Sequence, residues 1–470
     1  MTTDTRNWTK TGRARVCSIA GDLGFGFPDS ALQRAITLKP DVIAVQGTSA
    51  DPGPYYLGAG ESFYPISGVR RDLDRLIPAA AKAKIPVVMS AGGAGSRANL
   101  DPVYDALKSV ISEHRLTLRV AVIYSDVDPG YIKAKLASGA KVPRLGRSEA
   151  LSELLTVADV DKTDQIVAQI GPEPIMRALE AGADIVLAGR TVDVSLFAAV
   201  PLLKGCDTGA AFLMSKILEC GAMAAEPSTS ADGLIADIDG GKFEIEPLSE
   251  SRHCTRRSIA GHSFYEREDP FVDDLPGGRL DSSGVTYEQI NERRVSVSGA
   301  TWQPAPYTVK LEGAGRIGYR TVCIAGIRDP IMIAQIESIT ARTRARSVER
   351  FGNRPYEILF RTYGHGAIMG TSDPIKQFKA DELCVVIDVV APTQEFADEV
   401  CAFLRSAINH DEFPGCRTSA GNVAFPFSPS DLRAGPVFQF TIWHLLGLND
   451  PLEAAVTEWF EAKNGEVATR

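Results

Sequence analysis

The chain has 470 residues, 44% of them hydrophobic and 23% charged, with a formal net charge of -9. That length implies more than one domain and a core that needs no staples. The acidic balance argues against nucleic acid or an acidic membrane as partner, because phosphate binding needs concentrated positive charge. No long apolar run marks a membrane span, and the start MTTDTRNWTKTGRARV lacks the apolar stretch of a secretory leader, so a cytoplasmic protein is expected. The 8 cysteines are scattered, with no C-x-x-C pair and no Cys/His spacing of a zinc site.

The first half alternates apolar strands with helical patterns. Strands are expected at 15–20, 41–45, 86–90, 116–124 and 184–188. Helices are expected from Asp29, over 70–84, 102–113 and 172–181, and from Val192. Such alternation specifies βαβ units around a buried, mostly parallel sheet. Beyond about residue 225 the pattern changes. GLIADIDGGKFEIEPL reads as a hairpin about Asp-Gly-Gly, and strands at 294–297, 307–311 and 319–325 continue a β-rich insertion of about 230–325. A helix over 330–351 precedes a strand (356–360), a strand (383–390), a helix (394–408) and a strand (437–443). The expected fold is therefore α/β, with an N-terminal domain over 14–340 and a smaller α+β, ferredoxin-like domain over 341–470.

Ligands of open parallel sheets bind beyond the carboxyl ends of the strands, and four loops there are unusual. The first, Gly21-Asp22-Leu23-Gly24-Phe25-Gly26-Phe27, precedes a helix, so Asp22 and the Gly24 and Gly26 amides are candidate anion contacts. Its G-x-x-G-x-G spacing is not the dinucleotide fingerprint, and a plain tight turn accounts for it equally well. The second runs from Gln46 to Gly60 and holds Asp51, Tyr55 and Tyr56 among prolines, too long for an ordinary connection. The third, Ser90 to Ser96, offers Ser90, Gly92 and Gly93 to a carboxylate or phosphate. In the fourth, Arg190 at a strand end can clamp a carboxylate, while Asp193 can cap the next helix or orient the arginine; a structural pair fits equally well. Elsewhere, His262, Tyr265 and Glu266 are spaced to share one helical turn and are candidates for proton transfer. Cys220, at the end of an apolar helix, is a candidate nucleophile, although ordinary packing explains it as well.

These stretches resemble the acyclic terpene utilisation (AtuA) family. The matching segments are GDLGFGFP, ADPGPYYLGAG, SAGGAG, ALEAGADIVLAGRTVDVSL, KILECGAMAAEP, GHSFYEREDPF, PYTVKLEGAGRIGYRTVCIAGIRDP and TSAGNVAFPFSPSDLRAGPVFQF, in order over about 14–445. The resemblance implies an N-terminal α/β domain followed by a ferredoxin-like one, and a setting in catabolism of branched acids as coenzyme A esters. Where the family commonly carries an acidic residue and Gly-Ser, this chain has Gln46-Gly47-Thr48, an amide in place of a base or cation ligand.

Three functions are expected from these features. The first is an enzyme acting on a small carboxylate or its coenzyme A thioester, a hydratase or other lyase or an isomerase. Its base would be His262 or Asp51, and its oxyanion donors Arg190 or the glycine loops. The second is a thioester or lactone hydrolase attacking through Cys220, Ser90 or a metal-bound water. The third is a non-catalytic subunit that binds a coenzyme A ester. No cofactor is expected, although a divalent cation at Asp22 or Asp51 is compatible with the residues, and a homo-oligomer is expected.

Overall fold

The structure is a computed structural model that describes residues 8–377, 379–418 and 420–469. Residues 1–7, part of the start expected to lack a secretory leader, and Ser419 of the last matching segment lie outside the described residues. Eight strands lead through the first half: β1 (Arg13–Ser18), β2 (Val42–Val45), β3 (Val87–Ser90), β4 (Leu118–Tyr124), β5 (Gln165–Gln169), β6 (Ile185–Ala188), β7 (Leu234–Asp239) and β8 (Lys242–Pro247).

β1, β2, β3, β6 and β4 lie side by side in that order, all parallel. Every residue of β2, β3 and β6 is buried, which is why these segments show no polar alternation. Alternate side chains feed two cores. Ile43, Val45, Val87 and Met89 pack with Leu73, Leu76 and Ile77 of helix Ile66–Ala83 and with Leu100, Leu107 and Ile111 of helix Arg97–Glu113. Val42, Ala44 and Val88 pack on the other face with Phe197 of helix Val194–Leu203 and with Phe212 and Leu213 of helix Thr208–Leu218.

Antiparallel strands widen this parallel centre to 11 strands. β7, β8, Val295–Ser298 and Thr286–Gln289 continue it beyond β1. On the other side Val456–Lys463 pairs with β4, followed by Glu466–Thr469. The chain divides into two compact units, one made of Met1–Gly315 and Phe440–Arg470 and the other of Arg316–Gln439. The tail, expected to end the second domain, instead completes the large sheet.

In the second unit, helix Ile336–Phe351, strands Glu357–Tyr363 and Leu383–Ala391 and helix Gln394–Asn409 lie between two flanking strands, a β-α-β-β-α-β succession. Ile339, Val385, Ile387, Val400 and Leu404 gather in its core. The two strands expected at 307–311 and 319–325 are one, Thr308–Ile327. Its glycines look like interruptions in sequence. They stand there because a Cβ at Gly313 would meet Ile442 at 2.7 Å and one at Gly315 would meet the Lys162 carbonyl at 2.1 Å. Among the described residues, no helix is long and apolar enough to cross a membrane.

Candidate functional site

Because β1, β2, β3 and β6 are parallel neighbours, the four loops that follow them open on the same sheet edge. Glycine lets these loops pack backbone against backbone. A Cβ at Gly189 would meet the Gly95 carbonyl at 2.3 Å, and one at Gly95, whose φ is +78°, would meet the Arg190 amide at 2.5 Å. Gly221, with φ +57°, lies as close to the amide of Gly21, and so brings the end of helix Thr208–Leu218 against the first loop.

The expected anion donors are largely occupied from within. The amides of Gly24 and Gly26 both donate to one oxygen of Asp72, at 2.8 and 3.0 Å, and Asp72 is almost fully buried. The first amide of helix Arg97–Glu113, that of Arg97, donates to both oxygens of Asp126 at 3.0 and 2.9 Å. Ser90 Oγ accepts from the Gly47 amide and from Thr48 Oγ1, and the Gly93 amide donates to the Gly47 carbonyl. A Cβ at Gly92 would strike the Asn99 carbonyl at 2.6 Å. Gly24, Gly26, Ser90, Gly92 and Gly93 therefore hold the loops together, and the protein's own carboxylates take places where a substrate anion was expected.

Asp22 is different. It is partly buried, and Tyr64 Oη donates to its Oδ1 at 2.6 Å. Burial raises its carboxyl to about 6, against the Tyr64 hydrogen bond, and the nearby carboxylates of Asp193 and Asp51 push the same way. The Gln46 amide holds it partly down, while Gln46 Oε1 is buried with no partner. Asp51 itself is exposed, its amide turned to Ser49 Oγ. Tyr55 and Tyr56 stand edge to face at 5.3 Å, and Tyr56 packs on Phe63, which packs on Tyr64. These rings form a wall that leads to Asp22, and Tyr55 Oη donates to Glu61 at 3.4 Å.

Arg190 is buried and committed. Its Nε donates to Glu312 at 3.0 Å, and Nη1 donates to Asp193 at 3.1 Å and to the Thr191 carbonyl. Burial works to lower its charge affinity, yet Glu312 and Asp193 outweigh burial and hold the guanidinium charged. Glu312 also accepts from Gln169 Nε2 at 2.5 Å. Of the two roles read for Asp193, it orients the arginine and makes no capping bond to its helix. Arg190 is thus matched by two carboxylates of the protein through Nε and Nη1.

Below this pair, Lys216 Nζ donates to Glu219 at 2.5 Å, and both are buried. Burial raises the Glu219 carboxyl, with Lys216 pulling it back and Asp193 adding to the rise. Burial, then Glu219, pushes the adjacent Cys220 thiol above its ordinary range, so it is no ready thiolate. Helix Arg256–Ser263 ends before Tyr265, so His262, Tyr265 and Glu266 do not share a helical turn as expected. The chain turns at Glu266, with φ +58°, and the His262 and Tyr265 rings stack at 5.5 Å. Burial, then Lys216, lowers His262 to about 4, so it is neutral, and its buried Nε2 has no partner. Glu266 raises Tyr265 to about 12 and keeps its hydroxyl protonated.

Sequence reading passed over Tyr64, Asp72, Lys216, Glu219 and Glu312. The signal for Lys216 and Glu219 was available: two charged residues in the apolar run AAFLMSKILEC belong to a buried pair. Among the described residues, no three His, Cys, Asp or Glu side chains are grouped so as to hold a metal ion. A cavity of about 640 Å³ lies at the opposite strand ends, but the charges lining it pair with one another, as in Arg15–Asp237 and Lys204–Asp41.

No curated protein and no solved structure matches the chain. Residues 63–423 match the family described as "Acyclic terpene utilisation family protein AtuA", a span that takes in Tyr64, Arg190, Lys216 and His262. The chain belongs to the AtuA family.

Proposed function

We propose that the chain is an enzyme that transfers protons at a small carboxylic acid or its coenzyme A thioester, and acts as a hydratase or other lyase, or as an isomerase. The observation that carries this reading is Asp22, a carboxyl raised to about 6 at the carboxyl end of a parallel strand. A base is most effective when its pKa lies near the working pH, and ordinary surface aspartates lie well below it. Asp22 is the group that takes and returns the proton. Tyr64 fixes its orientation, and the neutral His262 supplies an uncharged ring nitrogen for a developing oxyanion.

This assignment moves the base from His262 or Asp51 to Asp22, and the oxyanion contact away from Arg190. The hydrolase alternative loses support, because Cys220 is held as a thiol and Ser90 is tied to Gly47 and Thr48. Turnover of hydroxyacyl and enoyl compounds, as free acids and thioesters, tests the proposal in wild type and in Asp22→Asn. A loss of about 10²–10⁴-fold in the variant is expected. Equal turnover by the two proteins refutes the role of Asp22.

A further inference from the structure

Arg190 and Lys216 are matched by carboxylates, but two further cations are not. The Arg267 side chain is only 2% exposed and lies five residues past His262, in the segment that turns at Glu266. Its Nη1 donates to Ser282 Oγ at 3.3 Å, while the buried Nε and Nη2 have no hydrogen-bond partner. Those two nitrogens share one edge of the guanidinium, whose parallel N–H groups take two oxygens of a carboxylate or phosphate at once. Asp273 Oδ2 lies 3.7 Å from Nε, too far for a hydrogen bond. The Asp273 side chain is 25% exposed, so solvent reaches the cluster from that side. Lys310 is half-buried and makes no ion pair among the described residues. It stands two residues before Glu312 on strand Thr308–Ile327, and so on the strand face that meets Arg190. The turn at Pro276-Gly277, just past Asp273, packs on Tyr307 at the head of that strand. A Cβ at Gly277 would meet the Tyr307 ring at 3.3 Å, and the Ala305 amide donates to the Gly277 carbonyl. Both cations accordingly act on Asp273: burial raises its carboxyl, and Arg267, then Lys310, then Lys216 pull it back. The other carboxylates nearby are taken, Glu219 and Glu266 by Lys216 and Asp274 by Arg279.

We infer that Arg267 and Lys310 form a binding site for an acid group of the ligand, a carboxylate or a phosphate, gripped by Arg267 Nε and Nη2 and countered by the Lys310 ammonium. Two cations facing one carboxylate leave a surplus positive charge, which such a group neutralises. The buried Arg267 N–H groups gain the acceptors they otherwise lack. Lys216 acts on His262 as well as on Asp273, so the acid group is anchored in the same neighbourhood as the His262 ring. Only a role for His262 at the other end of the ligand draws on the proton-transfer reading; the anion site does not.

Isothermal titration at neutral pH and low salt tests the site with succinate, inorganic phosphate and the uncharged succinamide. At least one anion is expected to bind about tenfold or more tightly than succinamide. Succinate ahead of phosphate assigns the site to a substrate carboxylate, and phosphate ahead assigns it to a phosphate-bearing ligand. Arg267→Lys keeps the charge without the two-pronged edge and should weaken the anion at least about fivefold. Lys310→Met should weaken it to a similar degree, and Asp273→Asn, which removes the competing carboxylate, should tighten it. These last two positions are less buried and report on the site even if Arg267→Lys does not fold. The inference is overturned if neither anion binds better than succinamide. It is equally overturned if Lys310→Met and Asp273→Asn bind the anion as wild type does. None of these results alters the titration of Asp22 in the free protein, so the anion site and the proton-transfer reading fail separately.

Discussion

Tyr64 donates a hydrogen bond of 2.6 Å to Asp22 across 42 residues of chain. The bond favours the carboxylate form of Asp22 and opposes the burial and the neighbouring charges that favour the protonated form. In Tyr64→Phe that brake is gone, so the Asp22 carboxyl should titrate at higher pH than in wild type. Hydrogen bonds to charged groups contribute about 1.5–3 kcal/mol, enough for a shift that carboxyl-labelled NMR resolves. An unchanged or lower titration point in the variant would show that the bond does not govern Asp22.

Arg190 and Glu312 form a buried ion pair within the first unit. Removing one member strands the other in a low-dielectric interior, a change that costs about 3–5 kcal/mol. Urea unfolding of Arg190→Ala and Glu312→Ala should show losses of that order. The double variant should lose less than the two single losses combined, because neither charge is left unmatched. Additive losses would mean that the two side chains act independently.

The parallel centre was legible because strands buried on both faces are short, apolar and followed by helix signals, as at β2 and β3. The final strand Val456–Lys463 was not legible. Only Phe460 and Ala462 of its eight residues are buried, so it carries little apolar pattern. The loops were located correctly, but their glycines suggested an anion cradle. What fills that cradle is Asp72, which stands 48 positions beyond Gly24 on a helix face between Val69 and Leu76. A charged residue on an apolar helix face was the clue, since burial of a carboxylate demands donors. Pairings such as Arg190–Glu312, which join residues 122 positions apart, depend on tertiary placement that local pattern does not encode.

His262 links the site to acid stability. Burial lowers its pKa from 6.5 to about 4, so the unfolded chain binds a proton in this window while the folded chain does not. Stability is therefore full above pH 6.5 and falls as the pH drops from 6.5 toward 4. At about 1.4 kcal/mol per unit, the loss from this residue is on the order of 3 kcal/mol. Denaturant midpoints between neutral and acid pH should fall less steeply in His262→Phe. Parallel curves for the two proteins would place the acid sensitivity elsewhere.

Asp22 carries the functional account, and its protonation can be measured without knowing the substrate. Folding raises its carboxyl from 3.8 to about 6, so above that range the folded state holds a charge it disfavours. Asp22→Asn should accordingly make the protein more stable at neutral pH while it removes activity. The most direct measurement is a ¹³C carboxyl titration of wild type and Asp22→Asn. One aspartate resonance titrating near pH 6 in wild type and missing from the variant is the predicted result. A wild-type Asp22 that titrates at the ordinary 3.8 would contradict the account.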